Sequence, residues 1–249
     1  MNAETAAVID ASGVHYRDLN RGIREAVTRG TRRFKIENAC GQRYIGDGLT
    51  GDISITIKGT PGNDLGAFMD GPTIEVFGNA QDGVGNTMNA GLITVHGDAG
   101  DIAGHSMRGG RIYVKGSVGY RTGIHMKAYK DLFPVVIAGG RARDFLGEYM
   151  AGGLLVILGL GFAAEEIAGD FVGTGMHGGM ILLRGAVDER KLGKEVRMTE
   201  PARADLEILD RYLPEYCRAF ELDPASLKDR PFVKLAPYTH RPYGKHYAY

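Results

Sequence analysis

Six of the nine methionines of this 249-residue chain recur in one register, at Met69, Met88, Met107, Met126, Met150 and Met176. The intervals are 19, 19, 19, 24 and 26 residues, and Leu49 stands 20 before the first. Each methionine closes the phrase Gly-x-x-Met, followed by small residues rich in glycine, a short β-branched run and a further glycine. A fixed period sets the architecture before any local propensity does. The unit is too short for a strand, a crossover helix and a loop, which needs about 30 residues. It is long enough for one circuit of a coil of short strands, at about 3.3 Å per residue. Stacked circuits pair each strand with its counterpart and set every methionine above the last. The expected fold is an all-β core, a parallel β-helix (solenoid) whose contacts run mainly between neighbouring turns. An antiparallel sandwich gives no reason for this period.

The strand of each unit is legible. Ile112-Tyr113-Val114-Lys115 alternates apolar and polar, the pattern of a half-buried strand. It recurs at Ile53 to Ile57, Thr73 to Phe77 and Leu92 to His96, then as the runs Val135-Val136-Ile137, Leu154 to Leu158 and Met180 to Leu183. The closing glycines, among them Gly59, Gly78 and Gly97, suit bends and close backbone approach. Six residues before the methionines lie Asn63, Asp82, Asp101, Tyr120, Asp144 and Asp170. This column reads as turn formers bonding nearby backbone rather than as a calcium ladder. His105, His125 and His177 share no column, which argues against convergence on one ion.

Three segments follow: residues 1–45, 46–185 and 186–249. In the first, an N-terminal arm precedes a helix between His15 and Gly30, expected to cap the open end of the coil, and a capping strand. The last opens another helix near Pro201, with Leu206, Leu209, Tyr212, Leu213 and Tyr216 on one face, and ends in an aromatic-basic tail. Thirty basic residues balance 30 acidic ones, so no global charge points to nucleic acid or an anionic membrane. No apolar run approaches 18 residues and no signal pattern opens the chain, so a cytoplasmic protein is expected.

Two units are lengthened, around residues 127–134 and 161–167, and insertions in a solenoid emerge from one face, as a contact surface or as simple drift in loop length. Cations and rings mix at Arg121, Lys127, Tyr129 and Lys130, and in the tail at Tyr238, Arg241, Tyr243 and Tyr247. Such mixtures suit single-stranded nucleic acid or a protein interface. Zero net charge and the lack of a nucleic-acid motif favour the protein interface, docking on a partner subunit or on a second copy of this chain. The alternative folds the tail back along its own coil.

Catalytic signatures are missing: there is no Gly-x-Ser-x-Gly, P-loop or His-Glu-x-x-His, and Cys40 and Cys217 share no motif. No catalytic, cofactor-binding or metal residue is assigned. The stretches Ile57-Lys58-Gly59-Thr60-Pro61-Gly62-Asn63-Asp64-Leu65-Gly66, Val76-Phe77-Gly78-Asn79-Ala80-Gln81-Asp82-Gly83 and Gly147-Glu148-Tyr149-Met150-Ala151-Gly152-Gly153 carry a resemblance. They resemble the GXGXG family, and most closely the C-terminal domain of the glutamate synthase large subunit in its stand-alone form. The resemblance covers about residues 46–185. It implies a right-handed coil and a non-catalytic subunit that holds a class II glutamine amidotransferase subunit and an FMN-binding synthase subunit. FMN and iron–sulfur would lie in those partners and none in this chain. The alternative implied is the β-helical subunit of a formylmethanofuran dehydrogenase-type complex, which uses a similar coil.

Overall fold

The computed structural model describes residues 6–227 and 229–238. In chain order these form β1 (Ala7–Asp10), α1 (Tyr16–Thr28), β2 (Arg33–Cys40), β3 (Ser54–Thr60), β4 (Asp70–Phe77), β5 (Ala90–Val95) and β6 (Arg111–Val114). Then come β7 (Val135–Ala138), β8 (Ala151–Ile157), β9 (Gly178–Arg184), β10 (Val196–Thr199), α2 (Arg203–Ala219) and β11 (Phe232–Pro237). One sheet holds these strands in the order β1 to β9, then β11 and β10. From β1 to β9 every pair is parallel and consecutive. The molecule is an all-β parallel β-helix.

Pairing in strict register turns the sequence period into rows. Phe34, Ile55, Ile74, Ile93, Ile112 and Val136 lie side by side along one buried row, and Ile36, Ile57, Val76, Val95 and Val114 along another. All six methionines of the repeat are 0 % exposed. The methyls of Met69, Met88, Met126 and Met150 reach toward the next circuit, where glycine leaves room. A β-carbon on Gly91 would stand 2.8 Å from Met69 Cε, and one on Gly179 2.6 Å from Met150 Cε. The glycines three residues after a methionine are therefore sockets for the methionine below.

The aspartate column bonds differently from the local turns expected. Asp82 Oδ1 accepts from the Asp101 N–H at 2.8 Å, Asp101 Oδ1 from Tyr120 at 2.8 Å, and Asp144 Oδ1 from Asp170 at 3.0 Å. A second column repeats this through Asn79, Asp98 and Ser117, whose side chains accept from Asp98, Ser117 and Arg141. Stacking brings the backbone of the next circuit within hydrogen-bond reach of these side chains, which clamp circuit to circuit.

The continuous apolar runs of β7, β8 and β9 follow from cover on both faces. Their inner residues join the coil's core. Their outer ones, including Ile137, Val156 and Leu182, pack beneath Leu209, Tyr216, Cys217 and Phe220 of α2 and the turn after it. A strand buried on both faces loses its alternation. The Tyr216 hydroxyl donates to the Val114 carbonyl at 3.1 Å, and Tyr113 donates to Glu215 at 2.7 Å. Burial pushes both phenols well above their ordinary range. Leu206, expected on the packed face, is 39 % exposed. The first turn of α2 is instead tied to β11 by Lys234 Nζ, 2.8 Å from Asp205.

Both ends are more ordered than expected. Ala7–Asp10, read as an arm, adds a strand beside β2. Helix α1 buries Leu19 and Ile23 in the core, and Asn20 and Arg24 donate to the Arg43 and Asp47 carbonyls of the first circuit, each at 2.8 Å. At the other end, β10 arises from a stretch to which the sequence assigns no element, and β11 from the tail segment. Strand β11 returns antiparallel against β9 and covers its edge. Arg184, 3 % exposed, donates to the Leu158 carbonyl at 2.6 Å and the Leu227 carbonyl at 3.0 Å, and pairs with Asp229. Arg184→Ala would leave two buried carbonyls without donors. The expected loss is about 1–3 kcal/mol in urea unfolding; an unchanged midpoint would show that water replaces the guanidinium.

Candidate partner interface

Each circuit turns one corner through the Gly-x-x-Met phrase. Three alternate residues there are left-handed: Gly83, Gly85 and Thr87 (φ 74°, 66° and 54°) before Met88, and Arg121, Gly123 and His125 (φ 55°, 75° and 54°) before Met126. Their N–H groups point alternately along the coil. Arg121 and His125 donate forward to the Asp144 and Glu148 carbonyls, each at 3.0 Å, and Gly123 donates back to Ala103 at 2.8 Å. The corner is thus hydrogen-bonded on both sides without being a strand, and these backbone donors are all satisfied. The middle position is glycine, and a β-carbon on Gly85 would lie 2.5 Å from Ile112 Cδ1, so the buried isoleucine would have to shift. The flanking positions carry side chains on the surface.

Those side chains stack from circuit to circuit. The Arg121 guanidinium lies 4.6 Å from the Phe145 ring centre, and Phe145 stacks on Phe171 at 5.0 Å. Beside this row, His105 meets His125 at 6.2 Å, and His125 stacks on Tyr149 at 5.3 Å. Glu148 joins the two rows, accepting from Arg121 Nε at 2.9 Å. Phe171 is 54 % exposed and Tyr149 47 %. A left-handed backbone costs a residue with a β-carbon about 1–2 kcal/mol. The same left-handed backbone recurs at Asp64, Phe68, Ile102 and Ser106 in earlier circuits, so the conformation belongs to the corner and only the choice of side chain varies.

Of the residues singled out in the sequence, Arg121 stands in this corner, and Lys127, Tyr129 and Lys130 are exposed just beyond it. Tyr129 and Leu132 exchange backbone hydrogen bonds at 3.2 and 3.0 Å, forming a tight hairpin with Lys130 at its tip. Tyr238 sits elsewhere, at the C-terminal end. Its hydroxyl donates to the Lys194 carbonyl at 2.6 Å and Arg197 covers its ring at 4.5 Å. Arg241, Tyr243 and Tyr247 lie outside the described residues. Phe145, Phe171, His125 and Tyr149 were not singled out as interface residues. Their signal was available as aromatic residues five before or one before a methionine in adjacent units.

Although His105 and His125 occupy different columns, the structure sets their rings side by side. Among the described residues, no group of three or more His, Cys, Asp or Glu side chains is placed to hold a metal ion. Burial, then the neighbouring His125, holds His105 below its ordinary value, against a smaller opposing pull from Asp64. The folded state thus takes up a proton less readily than the unfolded chain. The stability this histidine contributes is complete above the unfolded value of 6.5 and is lost as pH falls through the depressed folded value. On lowering pH from about 7 to about 5, wild type should lose more thermal stability than His105→Gln. Equal losses would exclude His105 as the titrating group.

A family profile described as GXGXG motif matches residues 25–228. The chain belongs to the GXGXG family. A relative in Methanocaldococcus jannaschii, the uncharacterized protein MJ1350, is 49 % identical over 257 residues, spanning 99 % of this chain and 98 % of its own. Among solved structures, a chain of the formyltransferase/hydrolase complex of Methylorubrum extorquens, crystallised with methylofuran, superposes with a TM-score of 0.62. It is 20 % identical and the match covers 96 % of this chain and 98 % of that one. At that identity the likeness establishes the fold. No helix among the described residues is long and apolar enough to cross a membrane.

Proposed function

We propose that this GXGXG chain is a non-catalytic assembly subunit of a glutamate synthase-like complex, joining a class II glutamine amidotransferase subunit to an FMN-binding synthase subunit. FMN and iron–sulfur belong to those partners in this reading. The observation that carries it is the corner. A rigid coil, hydrogen-bonded at every turn, holds exposed aromatic and cationic side chains in rows along one corner. Such a surface suits recognition, where aromatic and arginine anchors dominate binding energy. The isolated chain should show no glutaminase or glutamate-forming turnover and no flavin absorbance, and should co-purify with both partners when co-expressed. Stoichiometric FMN on the isolated chain would overturn the reading.

A second reading is favoured by the end-to-end likeness to a chain of a formyltransferase/hydrolase complex: a scaffold in a one-carbon assembly of the formylmethanofuran dehydrogenase type. Co-purification decides between them, since the partners differ in kind.

A further inference from the structure

Charge is unevenly placed along this coil. Residues 101–150 hold eight Lys or Arg and four Asp or Glu, whereas residues 151–176 hold Glu165, Glu166 and Asp170 and no Lys or Arg. Arg111 pairs with Glu215 and Arg121 with Glu148. Arg108, Lys127, Lys130 and Arg143 are exposed and, among the described residues, have no acidic side chain within 4.0 Å. They flank the two stacked rows: Lys127 follows His125 by two residues, and Arg143 precedes Phe145 by two.

The rings themselves select the occupant. Phe145 and Phe171 lie within 13° of parallel, and His125 and Tyr149 within 8°. Their faces are turned on one another, so edges point to the surface. Ring edges carry the positive end of the aromatic quadrupole and favour carboxylates. Nucleic-acid bases require open ring faces to stack on; here Phe145 lies against both Arg121 and Phe171, and His125 covers one face of Tyr149.

We propose that this corner, from the circuit of Met107 to that of Met150, docks an acidic segment of a partner protein. Carboxylates of that segment meet Arg108, Lys127, Lys130 and Arg143, and its backbone runs across the ring edge of Tyr149. The inference rests on the assembly-subunit reading only for the partner's identity. Complementary charge of this kind sets encounter rate and specificity.

The test uses the full chain and a fluorescent decaglutamate peptide, followed by anisotropy at low salt. Decalysine and a ten-nucleotide RNA serve as comparisons. Decaglutamate should bind and decalysine should not. Lys127→Glu with Arg143→Glu, and separately Tyr149→Asn, which suits the left-handed backbone, should each weaken binding about tenfold. Near-UV circular dichroism would check that both variants remain folded. Absent binding, or binding unchanged in both variants, overturns the proposal; RNA binding tighter than peptide assigns the surface to nucleic acid and also overturns it. Co-expression with the two proposed partners separates this inference from the reading beneath it. Wild-type assembly that survives Lys127→Glu with Arg143→Glu removes the docking surface and leaves the reading. No wild-type assembly, with the peptide result intact, removes the reading and leaves the surface.

Discussion

Truncating Met107 to alanine is expected to lower the free energy of unfolding by about 2–5 kcal/mol, as for a methionine deleted from a packed core. Met107 is 0 % exposed, and its sulfur lies against the corner glycine of its own circuit, 3.8 Å from a β-carbon placed on Gly104. Stacked circuits of a solenoid depend mainly on their neighbours, so a cavity there weakens the contact between two halves of the coil. Urea denaturation measures it. A change under about 0.5 kcal/mol, the range of ordinary surface substitutions, would show that the column is not core.

Gly59→Ala is expected to cost about 3–5 kcal/mol and to reduce the yield of folded protein, combining overpacking with a strained backbone. Gly59 has φ 112°, outside the range of ordinary side chains. Its β-carbon would fall on the Ala39 carbonyl oxygen and 2.9 Å from the Ala39 nitrogen. Both obstacles are backbone, so no rotamer change relieves them. They can move only if β2 and β3 part, which gives up ladder hydrogen bonds. Gly161→Ala is the matching control, with positive φ but no atom within 4 Å of the added carbon. Its thermal unfolding should show the backbone cost alone. Equal effects at the two sites would mean that close packing at Gly59 contributes nothing.

The coil was legible because its period is written in one residue type. Methionine fills the same internal space in six circuits, and glycine forms the socket in four of them, so residue identity and position largely coincide. The outer corner was not, because nothing forces one residue type there. The position five before the methionine holds Ile102, Arg121, Phe145 and Phe171 in successive circuits, and only stacking in space makes Arg121, Phe145 and Phe171 a row. The aspartate column shows a subtler difference. Residue type and position were read correctly, yet the hydrogen bonds run to the next circuit, 19 residues away for Asp82 and Asp101. At the ends, β11 meets β9 across the whole of α2, and four-residue β1 pairs only after α1 intervenes. Short strands joined across a helix leave little periodicity to read.

Native mass spectrometry of the complex isolated from the source organism, through a tag on this chain, tests the central claim most directly. The account predicts one assembly containing this chain, a class II glutamine amidotransferase subunit and an FMN-binding synthase subunit in fixed ratio, with FMN released from the synthase on denaturation. An assembly built instead from formyltransferase and hydrolase subunits, or this chain alone at its own mass of 26.9 kDa, would contradict it.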